Sequence, residues 1–381
     1  DFHGDEAPTY SMDIQTNIHS PLLEEFNKTE ISIGLDGNIK WDQKHPTSLS
    51  LSGFTAHAAF ITAKIDTEIE FDNGITVESL DLNLEPIPLS EAISYIPNSL
   101  KKEYGLDRLR SNADIYVSAN LLSPFNTDTD ILPHIALNVS VPDCQICYRN
   151  IDLGKFKANI CMTTTKDGNP DNARIEIKEL YACGRNRGLD ISIRGILTNL
   201  LTDPYFNGTV NGNIRPGLLP RAIYEHYGTE IGGNITIDTE IEARPSQLNR
   251  NSFHNLHLKG IVGLDKVKVA FLETGDSIYI DHGKIELGTN NSFVHDSQRS
   301  PNLLTASLAI DSARVHTAGL SVIMTGFRAG MGCVNDKDSN DTTKINPIGA
   351  TIRLNTLNMV QLSDSTRLRL RDVGCFATIK R

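Results

Sequence analysis

Cys144-Gln145-Ile146-Cys147 is the segment of this chain whose residue types and spacing come nearest to a reactive unit. Such a thiol pair holds a metal ion when a second close pair completes the tetrahedral set. It cycles as a redox dithiol when its first cysteine opens a helix after a strand. Cys161 and Cys183 lie far apart with no C-x-x-C or H-x-x-x-H between them, so the spacing argues against a metal site. The pair follows Val139-Ser140-Val141-Pro142 and leads into Tyr148-Arg149-Asn150, a strand-like context that argues against redox catalysis. The six cysteines, which include Cys333 and Cys375, are read as small buried hydrophobes or as one or two disulfides between neighbouring strands.

The remaining chemistry-bearing side chains do not converge either. His254 and His257 are three positions apart, which in a strand places them on opposite faces. Glu24-Glu25 and the Glu240/Glu242 pair fall on loops or solvent faces and serve solubility. The chain has no G-x-S-x-G, H-E-x-x-H, phosphate-binding loop or dinucleotide glycine cluster. The expectation is a protein that is not an enzyme, with no catalytic residue, no metal ligand and no cofactor.

Composition narrows the classes further. The 381 residues carry a net charge of −11, which opposes nucleic-acid binding and a polybasic lipid-surface patch. Aromatics make up 6% with Trp41 the single tryptophan, too few for the stacking platforms of a carbohydrate module. No window approaches the ~18 apolar residues of a spanning helix. The sequence opens at Asp1, so it is expected to be a piece of a longer protein whose targeting or anchoring segment is absent.

The elements announce themselves by alternation. Asn234–Glu242 sets Ile235, Ile237 and Ile241 against Thr236, Asp238, Glu240 and Glu242, and Lys266–Phe271, Lys284–Leu287, Arg174–Lys178, Asp81–Leu84 and Arg367–Arg371 repeat the pattern. Successive strand side chains point to opposite faces, so each segment has one apolar and one polar side. Phe253–Val262 and Lys266–Phe271 read as separate strands, as do Ser277–Ile280 and Gly283–Leu287. Asp36-Gly37, Asp72-Asn73-Gly74, Lys166–Pro170 and Asp281-His282-Gly283 read as hairpin turns. Helices are few: Leu89–Ile96 with Ser90 as N-cap, Asn98–Tyr104 stopped by Gly105, Pro216–Tyr227, and a short one near Pro21–Lys28. Gly330–Asn346 is the longest expected loop of the C-terminal part.

An internal repeat ties these together. Pro86-x-x-Leu89-x-x-Ala92-Ile93 recurs as Pro216-x-x-Leu219-x-x-Ala222-Ile223, each after a strand (closing at Leu84 and Ile214) and before another. The unit is strand, proline, short helix, glycine-ended turn, strand; such units stack because one alone cannot bury its apolar face. The predicted fold class is mainly β with a few short helices, an elongated, twisted antiparallel sheet curled into a groove and built from strand–helix–strand repeats. Its expected parts are an N-terminal β segment over 1–75, two repeats over 76–245 and an all-β segment over 246–381.

Leu200–Ile214, with its Leu201-Thr202-Asp203-Pro204 link and Gly208-Thr209-Val210-Asn211-Gly212 strand, resembles the AsmA family of Gram-negative envelope proteins. Tyr227–Ile235 and Leu82–Leu89 follow the same grammar, and the likeness covers about Thr76–Leu287. The resemblance implies a periplasmic body anchored to the inner membrane, a groove with an apolar interior, and a part in outer-membrane biogenesis and lipid homeostasis. AsmA-like proteins are similar to chorein-type bridge proteins that conduct phospholipid between membranes. The six cysteines exceed what that family leads one to expect.

On this basis the partners expected are phospholipid or another acyl lipid, the inner and outer membranes reached through missing parts of the chain, and envelope proteins. The candidate groove lining is Ile191, Ile193, Val210, Ile214, Ile235, Ile237, Ile241, Val267, Val269, Ile285 and Leu287. The bland alternative is that these side chains form an ordinary core, and that the protein is a non-catalytic envelope scaffold or adhesin-like β-protein with a closed core.

Overall fold

The computed structural model describes residues 9–19, 30–41, 47–72, 74–129, 131–148, 151–219, 228–247, 257–288, 306–333, 348–363 and 365–379. The protein is mainly antiparallel β, 71% strand against 9% helix, and its sheet is not closed into a barrel. The chain divides into two compact units, Asp1–Tyr181 with Ile196–Thr202 and Ala182–Gly195 with Asp203–Arg381.

In chain order the first strands are β1 (Thr9–His19), β2 (Glu30–Trp41), β3 (Ser48–Ala58), β4 (Ile61–Glu70), β5 (Thr76–Leu84) and β6 (Ile87–Pro88). Helices α1 (Leu89–Ser94) and α2 (Asn98–Tyr104) lead to β7 (Leu109–Ser111), β8 (Asp114–Leu121), β9 (Phe125–Asn126), β10 (Ile135–Tyr148), β11 (Ile151–Thr163) and β12 (Arg174–Gly184). Then come β13 (Leu189–Thr198), β14 (Tyr205–Ile214), β15 (Thr229–Ala243), β16 (His257–Phe271) and β17 (Ser277–Leu287). The chain closes with β18 (Ala306–His316), β19 (Leu320–Cys333), β20 (Ile348–Gln361) and β21 (Arg367–Ile379).

In the first unit the ladder runs β1–β2–β3–β4–β5–β8–β10–β11, every pair antiparallel. Opposed residues of such pairs share a face. One transverse row is therefore Phe54, Ile65, Leu82, Ala119, Leu137 and Met162. The next row is Thr55, Lys64, Asn83, Ser118, Asn138 and Cys161. Alternation in the sequence thus becomes one apolar and one polar sheet face. Helix α1 packs beside the β3–β4 turn, where the Tyr95 and Phe60 ring centroids are 4.3 Å apart.

Four expectations about local structure change here. Ser90 lies inside α1 and caps nothing: Pro88 is the N-cap, and the Leu89 N–H donates to the Ala113 carbonyl at 2.8 Å instead. Asp36-Gly37 is no turn but mid-strand in β2, where Asp36 pairs with Thr55 and a bulge follows. A Cβ on Gly37 would stand 2.7 Å from Phe54 Cα, so glycine there admits the Phe54 side chain of β3. Asp281-His282-Gly283 likewise lies inside β17, and Phe253–Val262 with Lys266–Phe271 falls largely within one strand, β16. Gly105, by contrast, ends α2 in the left-handed conformation at φ 65°, and Gly168 turns at φ 65° as glycine allows. Pro21–Lys28 lies outside the described residues, and Pro216–Tyr227 is described only to Leu219, opening as a 3₁₀ turn over Pro216–Leu218.

The second unit is a meander from β14 to β21. From β16 to β21 every strand changes phase at the same level. Leu264, Gly283, Ile310, Phe327, Leu354 and Val373 form one transverse row. Three residues along each strand, Val267, Ile280, Ala313, Met324, Leu357 and Leu370 form another on the same face. Left-handed residues sit between the two rows at Lys266 (φ 51°), Gly326 (φ 62°) and Asp372 (φ 53°), where the side-chain alternation changes phase while the register of the ladder is kept. The buried apolar residues of this unit, Val267, Ile310, Ala313 and Leu354, all lie on these two rows.

The G-x-x-x-G strand has a steric role in the same unit. A Cβ on Gly212 would lie 2.9 Å from Ile191 Cα, and one on Gly208 would lie 2.8 Å from Gly195 Cα. Backbone cannot yield as a side chain can, so Gly212→Ala should cost about 1–3 kcal/mol through overpacking. Gly232→Ala, with no atom within 4 Å of the added methyl, should be close to neutral. Urea midpoints of the two variants measure the difference; equal midpoints would remove this role from Gly212.

Candidate functional site

Alternation and register place all eleven predicted lining residues on one face of the second unit. Ile214 opposes Ile235, Gly212 opposes Ile237, and Gly208 opposes Ile241, so Val210 belongs to the same face. Arg215 N–H bonds the Gly188 carbonyl at 2.8 Å and Gly212 abuts Ile191, which puts Ile191 and Ile193 of β13 on that side. Ile231 opposes Val269, and Val267, two residues before Val269 in β16, lies on the same side. Ile285 opposes Val262, and Leu287 opposes Gly260.

One row crosses the whole meander: Gly212, Ile237, Val262, Ile285, Leu308, Ala329, Ile352 and Cys375. The side chains on this face are incompletely covered. Of the eleven, Val267 alone is buried, at 7% exposure, and the other ten are half-buried. No large side chain is fully buried among the described residues. Thr239, the polar member of this face in β15, is satisfied by donating its hydroxyl to the Val210 carbonyl at 3.3 Å.

A cavity of about 380 Å³ opens on the face where the row reaches β17–β20. Ile285, Leu308, Ala329 and Ile352 line it, with Ala306 beside them, and the short alanine side chains leave the depression. Only Ile285 of these stands among the sequence-predicted residues. Leu308 was legible in the alternating Ser307-Leu308-Ala309-Ile310. Ala329 and Ile352 were harder to assign, because the apolar run Val322-Ile323-Met324 in β19 hides which side faces where. Ile323 in fact lies on the polar side, opposite Arg314, and is 41% exposed.

The opposite face is polar and laced with ion pairs. Lys259 meets Glu240 at 3.4 Å and Arg328 meets Asp311 at 3.2 Å, and the His282 Nδ1 lies 3.0 Å from the Asp265 carboxylate. All are substantially solvated and contribute little individually. Their effect is to keep this face wet while the other stays apolar.

The cysteines bring no chemistry together. Cys144 is buried in β10 with its thiol directed at the Phe156 carbonyl, 3.4 Å away. Burial raises its pKa, Asp143 adds to the rise and a hydrogen bond with Ser111 opposes it, so the thiolate is disfavoured. Cys144, Cys147, Cys161, Cys183 and Cys375 are all free, so the disulfides expected as one alternative do not form among the described residues. No group of three or more metal-ligating side chains occurs among the described residues. His254 lies outside the described residues, and His257 is exposed at the start of β16.

The Leu201-Thr202-Asp203-Pro204 link acts through its polar members. Asp203 accepts hydrogen bonds from the Ser246 hydroxyl at 2.7 Å and its N–H at 3.4 Å, and pairs with Arg244 at 3.6 Å. Arg244 also lies 5.0 Å from the centroid of the Tyr205 ring, whose hydroxyl donates to Glu242 at 3.1 Å. Burial, then Glu242, raises the Tyr205 pKa, partly offset by Arg244, so the phenol stays protonated and donating. In the first unit Asp171 does the same for the start of the link, accepting from Leu201 N–H (2.9 Å), Thr202 N–H (3.0 Å) and the Thr202 hydroxyl (2.8 Å).

No protein-family model, curated protein or solved structure matches this chain. The site rests on its own geometry: a broad, incompletely covered and mainly aliphatic surface, with the Thr239 hydroxyl turned to the backbone and the free Cys375 thiol at the end of its row.

The Asp171 tie carries a pH signature. Its carboxyl lies below the ordinary 3.8, first because of the Leu201 N–H and then the Thr202 hydroxyl. Stability from a depressed carboxyl is present above the unfolded pKa and is lost as pH falls through the lower folded value. Amide exchange at Leu201 and Thr202 should therefore be protected at pH 6 and lose protection only below 3.8. Asp171→Ala should abolish that protection at both pH values; unchanged protection in the variant would show that the carboxylate does not hold the link.

Proposed function

We propose that this chain is an AsmA-like periplasmic module that takes part in lipid homeostasis and outer-membrane biogenesis by shielding phospholipid acyl chains along an apolar β-surface. The observation that carries the proposal is the half-exposed row from Ile237 to Ile352 with its aliphatic cavity. Contiguous exposed apolar patches beyond a few hundred Å² are uncommon on soluble proteins and mark interaction sites. An acyl chain needs no polar anchor, since each methylene taken from water contributes about 0.8 kcal/mol. A face dominated by isoleucine, valine, leucine and alanine suits that ligand.

The finer architecture belongs to the same proposal. The line across β16–β21 where the alternation changes phase, with apolar residues on both flanks of one side, supports a sheet that curls toward its apolar face into a groove. The order β5–β6–α1 beside β14 and the Pro216 turn supports a strand–helix–strand repeat. Inner-membrane anchoring through another part of the protein, and bridge-type transfer toward the outer membrane, follow from the AsmA resemblance.

Native mass spectrometry of the purified chain tests this directly. Co-purified phospholipid, or uptake of a fluorescent phospholipid, is the expected result. Ile237→Glu with Val269→Glu, both on the apolar face, should lower uptake by about tenfold or more at unchanged circular dichroism, since each buries a charge against the ligand. A bare protein mass with no lipid uptake would overturn the proposal in favour of a non-catalytic envelope scaffold or adhesin-like protein.

A further inference from the structure

Strand β21 pairs with β20 from Ile348↔Ile379 to Val360↔Arg367, and no other described strand pairs with it. An edge of this kind offers alternate N–H and C=O groups to an incoming strand. Arg367, Arg369 and Arg371 alternate along it on the polar face, opposite Val360, Asn358 and Thr356 of β20. None of the three has an ion-pair partner among the described residues. Leu368 and Leu370 occupy the apolar side at 51% and 39% exposure. The strand's one carboxylate is Asp372, in the left-handed conformation (φ 53°). Arg314 and Arg353 lie on the same polar face further in, so the edge is basic in a chain whose net charge is −11.

We propose that the outer edge of β21 docks an acidic amphipathic β-strand of another protein. The incoming strand would continue the antiparallel ladder, set alternate Asp or Glu side chains against Arg367, Arg369 and Arg371, and extend the apolar rows beyond Leu368 and Leu370. Cross-strand charge pairs select such a partner, and like charges directly opposite oppose it. The same rule disfavours a second β21, because an antiparallel self-pair centred on Arg369 sets Arg367 against Arg371. Strand β1 of another copy is also a poor match, since its polar side carries one acid, Asp13, beside Ser11, Gln15 and Asn17. This inference stands apart from the lipid proposal, which concerns the apolar face.

The test uses the full chain with two labelled synthetic peptides, one alternating glutamate with valine and the other lysine with valine. The glutamate peptide should bind on the order of tenfold or more tightly than the lysine peptide at low salt, and weaken as salt rises. Hydrogen exchange should show new protection along 367–375 alone. Replacing the three arginines by glutamate (R367E, R369E and R371E) should reverse the preference, and replacing them by glutamine should level it. Equal binding of the two peptides, protection away from β21, or self-association that protects β21 without peptide would each overturn the proposal.

Discussion

Everything in this structure depends on the two-residue period of the strand. Lateral hydrogen bonds satisfy the backbone from strand to strand, which leaves the side chains to sort by face alone. Where the sequence alternates, one face becomes continuously apolar. The rows Phe54–Ile65–Leu82–Ala119–Leu137–Met162 and Ile237–Val262–Ile285–Leu308–Ala329–Ile352 are the direct result, one in each unit. A register slip of one residue in any strand would turn its apolar set toward water, so the faces also fix the register.

Among the described residues, the apolar side of the second unit's sheet is less covered than an ordinary core layer. In a packed domain, side chains such as Ile237 and Ile285 are buried against a second layer. Here they remain half-buried, and the well-buried apolar residues of the second unit cluster at the line where the alternation changes phase instead. Lys266, Gly326 and Asp372 take left-handed backbone there, and the phase change it brings puts apolar residues on both sides of the line onto one face. Local backbone irregularity thus supplies burial that would otherwise need another layer.

The polar elements do different work. Asp171 and Asp203 each gather the N–H and hydroxyl of a Thr or Ser from the next connection, which orders loops without placing charge in the sheet. The Asp-Pro link that attracts attention in the sequence is therefore a structural tie in this chain. Close backbone approach at Gly208 and Gly212 explains the spaced glycines beside it in the same terms.

The strand character of most segments, and the sidedness of those that alternate strictly, such as β15, were legible from the sequence, because alternation depends only on neighbours along the chain. Gly105 as a helix stop was legible for the same reason. The sequence misread Asp36-Gly37 and Asp281-His282-Gly283 as turns, since a bulge and a hairpin draw on the same residues and differ only in what pairs alongside. It also could not assign Ala329 or Ile352 to the cavity, nor keep the thiols apart, because both depend on register across strands distant in sequence. How far each face is covered, and which of the described strands is left at an edge, were decided by tertiary structure alone: exposure is a property of what packs against a residue, and no local pattern contains it.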